Sequence, residues 1–238
     1  MHVARKCPRF RDNDMHKSEA YSRSGESYSP RHAVEAAKPL RRVPFLHGQK
    51  MQNDSNRFFV LTGGPGSGKT TLIEALRQTG FATSVEAGRG IIRDQSAIGG
   101  TALPWSDRAL FAELMLSWEM RSYRAARALA GPVFFDRGVP DTIGYLRLCG
   151  LPAPDHLTSA AMEFRYARRV FIAPPWPEIF TQDEERKQTL DEAERTCQLV
   201  AGVYAELGYE LVTLPLAPVE ERVRFLLDAA GLPPTLRT

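Results

Sequence analysis

Cysteine is scarce: the 238 residues contain three, Cys7, Cys149 and Cys197. An odd, widely spaced set supports neither a disulfide framework nor a zinc site built from paired cysteines. It suits a reducing compartment, so a cytoplasmic setting is expected. No run of about 18 consecutive apolar residues occurs, which argues against a spanning helix. No charged stretch followed by an apolar core opens the chain, so no secretory signal is read there. The formal net charge of +3 is too small to indicate a nucleic-acid partner on its own. What remains is ordinary for a soluble globular protein, 43% hydrophobic and 25% charged.

The charge is unevenly placed. Residues 1–56 hold 11 Lys+Arg against 6 Asp+Glu, a net of +5, so the remainder carries 3 − 5 = −2. Only 7 of these 56 residues are Leu, Ile, Val or Phe, and four of the five histidines lie here. Such a segment buries too little apolar surface to offset its ordering entropy, and a disordered basic extension is expected. Contact with anionic lipid or nucleic acid is the functional reading of that charge. The six acidic residues disfavour a transit peptide. Met51 stands seven residues before the first apolar run and is an alternative start.

From residue 57 onward, short apolar runs alternate with amphipathic segments, and no repeat is visible. Strands are expected at 58–62, 81–85, 132–136, 169–173 and 210–214, with Pro215 closing the last. Helices are expected at 69–79, 88–96, 107–130, 141–149, 157–166, 186–206 and 218–232. In the segment 107–130, Leu110, Leu114 and Trp118 follow at i, i+4 and i+8, with Phe111 and Met115 beside them. That spacing predicts a buried stripe used for packing, capped by Ser106. Strands alternating with helices predict βαβ units: an α/β fold with a parallel sheet covered on both faces, in one domain over 57–238.

The first strand ends in Gly63-Gly64-Pro65-Gly66-Ser67-Gly68-Lys69-Thr70-Thr71. Gly63, four intervening residues, then Gly68-Lys69-Thr70 fit the G-x-x-x-x-G-K-[ST] pattern of a Walker A loop between a strand and a helix. Glycines let the backbone curl so that several N–H groups meet phosphate oxygens, and the helix N-terminus adds its positive end. Lys69 is assigned to the β- and γ-phosphates and Thr70 to Mg²⁺. Residues 63–71 together form the expected nucleotide cradle.

Further side chains stand where strands should end. Asp136 closes the 132–136 run, where a neighbouring parallel strand would place it near Mg²⁺. Arg137 follows and can neutralise developing phosphoryl charge. Their plainer reading is a strand-end ion pair, with Asp141 as a helix cap rather than a substrate contact. Glu86 and Arg89 follow the 81–85 run, beyond the carboxyl end of a strand, where ligands bind in open parallel sheets. Glu86 can accept an acceptor hydroxyl's proton and Arg89 can bind an anion; a surface i, i+3 ion pair is the alternative. After the fourth strand, Pro174-Pro175-Trp176-Pro177 breaks the chain and Asp183-Glu184-Glu185-Arg186-Lys187 follows. Arg186 is the candidate of a closing lid, against a solvated helix start. Trp176 reads equally as a base-stacking or a packing residue.

Gly63 to Thr71, Glu86-Ala87-Gly88-Arg89, Asp136-Arg137-Gly138-Val139-Pro140-Asp141 and Pro-Pro-Trp176, in this order, resemble the NadR-type predicted ATPases, sometimes labelled an AAA domain. These are related to ribosylnicotinamide kinase and more distantly to nucleoside and nucleotide kinases. The resemblance covers 57–238 and none of the basic extension. It implies a three-layer P-loop NTPase with strand order 2-3-1-4-5, binding ATP or GTP with Mg²⁺. It does not imply a ring motor, since no polar sensor strand is visible.

Three functions fit. In a small-molecule kinase, Lys69, Glu86, Arg137 and Arg186 are catalytic, Glu86, Arg89 and Asp141 line the acceptor site, and Thr70 and Asp136 hold Mg²⁺. The second is a slow NTPase or nucleotide switch acting through a protein or lipid partner; the third, a binding module without turnover. No Asn-Lys-x-Asp segment of the guanine-reading kind is present, so ATP and GTP both stand.

Overall fold

The computed structural model describes residues 54–179 and 189–234. The basic extension, Met51 and residues 183–187, including Arg186, lie outside the described residues apart from 54–56. Those belong to a 3-10 turn, Asp54–Arg57, that leads into the first strand.

Five parallel strands, β1 (Phe58–Gly63), β2 (Ala82–Thr83), β3 (Val133–Asp136), β4 (Arg169–Ala173) and β5 (Glu210–Thr213), form one sheet in the order 2-3-1-4-5. The helices are α1 (Lys69–Gln78), α2 (Ala87–Ile98), α3 (Arg108–Arg127), α4 (Val139–Leu148), α5 (Asp155–Glu163), α6 (Leu190–Glu206) and α7 (Val219–Ala230). None of the described helices is long and apolar enough to cross a membrane.

The two-residue period of a strand splits the core between the sheet's faces. Phe58, Val60, Val133, Phe135, Val170 and Ile172 pack with residues of α3, α4, α5 and α6. Phe59, Leu61, Phe134, Phe171 and Ala173 pack with α1 and α7. Both faces are apolar because helices cover both, so β1 and β3 read as continuous hydrophobic runs. Burying each Phe or Leu contributes about 1.5–3 kcal/mol.

The expected strand 81–85 contracts to two residues. The Ser84 hydroxyl, instead of a backbone carbonyl, accepts from the Asp136 N–H at 3.0 Å, and Val85 turns outward. The α3 stripe is also corrected. Phe111, Met115, Glu119 and Tyr123 point inward, while Leu110 is exposed and Leu114 and Trp118 are half-buried. Asp107, not Ser106, caps this helix: its carboxylate accepts from the Leu110 N–H at 2.9 Å. Helix α6 begins later than expected, behind a capping box of Thr189 and Glu192.

The register fixes which ends meet. Leu61 of β1 lies beside Asp136 of β3, and Gly63 beside Ala173 of β4. The segments following β1, β2, β3 and β4 therefore leave the same edge of the sheet, the carboxyl edge.

Candidate functional site

At that edge the chain forms a cleft of about 1410 Å³, lined by residues 65–71 on one side and by Glu86, Arg89, Arg137 and Asp141 on the other. The two sides reflect the sheet order, since β1 carries the loop and its neighbour β3, with β2 beyond, carries the charged residues.

The loop takes its shape from backbone demands. Gly63 has φ +133°, and a Cβ there would lie 2.2 Å from the Ala173 carbonyl oxygen on β4. Gly66 and Gly68 also occupy the left-handed region, at φ +75° and +74°. The Ser67 hydroxyl donates to the Gly64 carbonyl at 2.8 Å. Lys69 is buried, and its Nζ donates to the Gly64 carbonyl at 2.6 Å and to Ser67 Oγ at 3.2 Å. Burial, then the Arg137 charge, lowers its pKa to about 8. Thr70 and Thr71 open onto the cleft at the start of α1.

Arg137 is the one non-glycine residue with positive φ among the described residues, at +73°. An L-residue pays roughly 1–2 kcal/mol for that conformation. The side chain holds it there. Its Nε donates to Glu86 Oε1 at 3.1 Å, and its Nη1 to the Gly63 carbonyl at 3.1 Å and Asp141 Oδ1 at 3.2 Å. Burial opposes its charge, but Glu86, Asp141 and Asp136 outweigh that and raise its pKa.

Asp141 caps α4 by accepting from the Gly138 N–H at 2.9 Å. It also accepts from the Thr62 hydroxyl of β1 and, at 2.7 Å, from the Tyr204 hydroxyl of α6. With Arg137 that makes four donors on two oxygens, which is the full capacity of a carboxylate. The geometry is that of the cap, and at the lining of the cleft Asp141 also holds Arg137 in place.

Glu86 pairs with Arg137 and, at 3.2 Å, with Arg89 Nε. Burial pushes its carboxyl up, but Arg137, Lys69 and Arg89 prevail and hold it below the usual carboxylate range. It is thus an ionised acceptor facing the cleft. Asp136 differs. It is buried, and burial followed by the Glu86 charge pushes its pKa up to about 6. Its Oδ1 has no hydrogen-bond partner among the described residues. A buried carboxylate oxygen with no donor, within the field of Lys69 of the phosphate loop, fits Mg²⁺, which usually takes one or two protein oxygens beside phosphates.

Several residues reach the site without a signal in the pattern. Phe111 and Met115 of α3 are buried and line the cleft, so the stripe expected to serve packing alone also forms a wall. Tyr145 stands edge-on to Phe111 at 5.2 Å. Glu119, one turn beyond Met115, is buried, and burial together with Asp141 and Asp136 favours its protonated form. Arg222 of α7 donates from Nη2 to the Ser67 carbonyl at 3.1 Å. Trp176, which the sequence already marks as a stacking or packing residue, lines the same end, its ring 5.6 Å from the Arg222 guanidinium carbon.

No curated protein matches the chain. Among solved structures, NadR in complex with NR superposes with a TM-score of 0.58 at 18% identity, covering 76% of this chain and 52% of NadR. NadR with NAD and AMP-PNP gives 0.56 at 17% identity over 74% and 50%. The match therefore spans about half of NadR. Deoxyadenosine kinase from M. mycoides, with products dCMP and dCDP, gives 0.51 at 13% identity, covering 73% of this chain and 98% of the kinase. At these identities the likeness is one of fold, a P-loop kinase sheet with its flanking helices. The family match is made on sequence and runs over residues 58–222, from the first strand to the arginine behind the phosphate loop; the chain belongs to the AAA domain family.

Proposed function

We propose that the protein is a Mg²⁺-dependent phosphotransferase that moves the γ-phosphoryl group of ATP or GTP to a hydroxyl of a small, nucleoside-like acceptor. One observation carries this reading: the phosphate loop and the Glu86–Arg137 pair line the same cleft, so donor and acceptor subsites adjoin. NadR and deoxyadenosine kinase, whose folds resemble this one, were solved with nucleotides or a riboside bound, which supports the same assignment.

In this mechanism residues 63–71 bind the phosphates and Lys69 Nζ moves from its loop carbonyls to the β- and γ-oxygens. Arg137, fixed by Glu86 and Asp141, faces the transferring group and neutralises charge that develops there. Glu86 orients the acceptor hydroxyl and takes its proton. Its lowered pKa suits late proton transfer, as expected where the transition state is loose. Arg89 and Asp141 complete the acceptor side, Asp141 by positioning Arg137. Thr70 and Asp136 would hold Mg²⁺, which would supply positive charge to the phosphates when bound.

The test is the full chain with Mg·ATP or Mg·GTP and a panel of nucleosides and nicotinamide riboside, read by thermal shift and by ADP or GDP release. Acceptor-dependent release is the expected result. Stabilisation by nucleotide with no acceptor-dependent release across the panel would overturn phosphotransfer and favour a nucleotide switch.

A further inference from the structure

The cations at the cleft differ in what balances them. Arg137 pairs with Glu86 and Asp141, and Lys69 lies within the field of Asp136, Glu86 and Asp141. Arg222 has no such company. It is 3% exposed, yet no carboxylate pairs with it among the described residues. Its Nη2 meets the Ser67 carbonyl, and its Nε is buried with no hydrogen-bond partner. Its Nη1 lies 2.7 Å from where a Cβ on Gly68 would stand, so the guanidinium is pressed against the turn of the phosphate loop. The Trp176 ring at 5.6 Å supplies only a weak, face-on counterpart.

A buried guanidinium without an anion is costly, because it has left water and gained too little in return. Arg222 reaches this place from α7, 155 positions beyond Ser67. Helix α7 does not need the charge for packing, since Val223, Leu226 and Leu227 dock it on the sheet. An anion at the phosphate loop would supply the missing counter-charge.

We propose that Arg222 is a phosphate-sensing arginine built into the protein itself, a cation that no described carboxylate pairs with, held behind the loop so that a bound nucleotide's phosphates complete its electrostatics. This rests on the reading that the loop binds nucleotide, but not on phosphotransfer. Arg222 lowers the stability of the nucleotide-free protein and raises affinity for polyphosphate. A bracing arginine would do the reverse: its loss would weaken the free fold and leave phosphate affinity unchanged.

The test compares wild type with Arg222→Met, which keeps an apolar stem, and Arg222→Gln, which keeps an N–H donor without charge. Thermal unfolding is measured without nucleotide, and affinities for Mg·ATP, pyrophosphate and adenosine by calorimetry. Both variants are expected to unfold at or above the wild-type temperature without nucleotide. Both should bind Mg·ATP and pyrophosphate about 10- to 100-fold more weakly, as for loss of one buried charge, with adenosine affinity unchanged. Arg222→Lys should recover most of the loss. Lower melting temperatures with unchanged Mg·ATP affinity, or equal losses for adenosine and pyrophosphate, would overturn the proposal. Acceptor turnover does not enter the readout, so the result stands however the phosphotransfer test falls.

Discussion

Replacing Asp141 by Asn changes one atom and should nonetheless cost much of the protein's stability. The carboxylate receives donors on both oxygens: the Thr62 hydroxyl and Arg137 on Oδ1, the Gly138 N–H and the Tyr204 hydroxyl on Oδ2. An amide has one acceptor oxygen, so either flip turns its NH₂ toward two donors. Hydroxyls can rotate away, but the Gly138 N–H and the guanidinium cannot. One of these two is left facing an N–H, and Arg137 loses a buried counter-charge in every case. Breaking a buried pair from one side costs roughly 3–5 kcal/mol. For a domain of this size each kcal/mol lowers the melting temperature by about 2–4 °C. A fall of about 6–20 °C is therefore expected for the Asn variant, combining these two ranges. Tyr204→Phe removes one donor and leaves three, and should cost only about 1 kcal/mol. Urea and thermal unfolding of the three proteins provide the comparison. An Asn variant within about 0.5 kcal/mol of wild type, the ordinary range for a surface substitution, would refute the four-donor account.

Glu86→Gln should lower phosphotransfer by about 10²–10⁴-fold while nucleotide affinity persists, measured by coupled ADP release and calorimetry; wild-type turnover would remove Glu86 from the chemistry. The lowered pKa of Lys69 makes a signed pH prediction. The folded chain binds fewer protons than the unfolded one between about 8 and the ordinary lysine value of 10.5, so nucleotide-free stability should rise with pH through that window. Lys69→Met should flatten that rise in urea midpoints measured from neutral to alkaline pH. Gly63→Ala should destabilise the fold by several kcal/mol or prevent folding, because its Cβ would meet the Ala173 carbonyl at 2.2 Å; a soluble variant with a wild-type melting temperature would contradict the placement of β1 against β4.

The sheet and the phosphate loop were legible because their signals are local. A strand–loop–helix with glycines at fixed spacing is written in nine adjacent residues, and parallel strands buried on two faces announce themselves as apolar runs. What could not be read depends on contacts far apart in the chain. Arg222 sits in Val-Glu-Glu-Arg-Val, which has the look of a solvated helix start; nothing in those five residues says that Ser67 will be its partner. Asp141 likewise looks like any acid in a helix's first turn, and its hub role appears only when Thr62 and Tyr204 arrive from β1 and α6. The inward face of α3 is centred one position from the expected stripe, on Phe111 and Met115, because Leu110, Leu114 and Trp118 match a helical period equally well. Burial by α2 and α4 decides between the two faces.

The cleft therefore has one unyielding wall and one permissive wall. Where the phosphate loop meets the charged residues facing it, Gly63, Lys69, Glu86, Arg137, Asp141 and Tyr204 share partners, so a change in any one disturbs the rest. On the far side, Ile92, Trp105 and Leu148 face the same space without joining that hydrogen-bonded set. Under the phosphotransfer proposed above, retargeting to a new acceptor has its accessible route through those three positions, where a side chain can be exchanged for its shape while the hydrogen-bonded set is left intact.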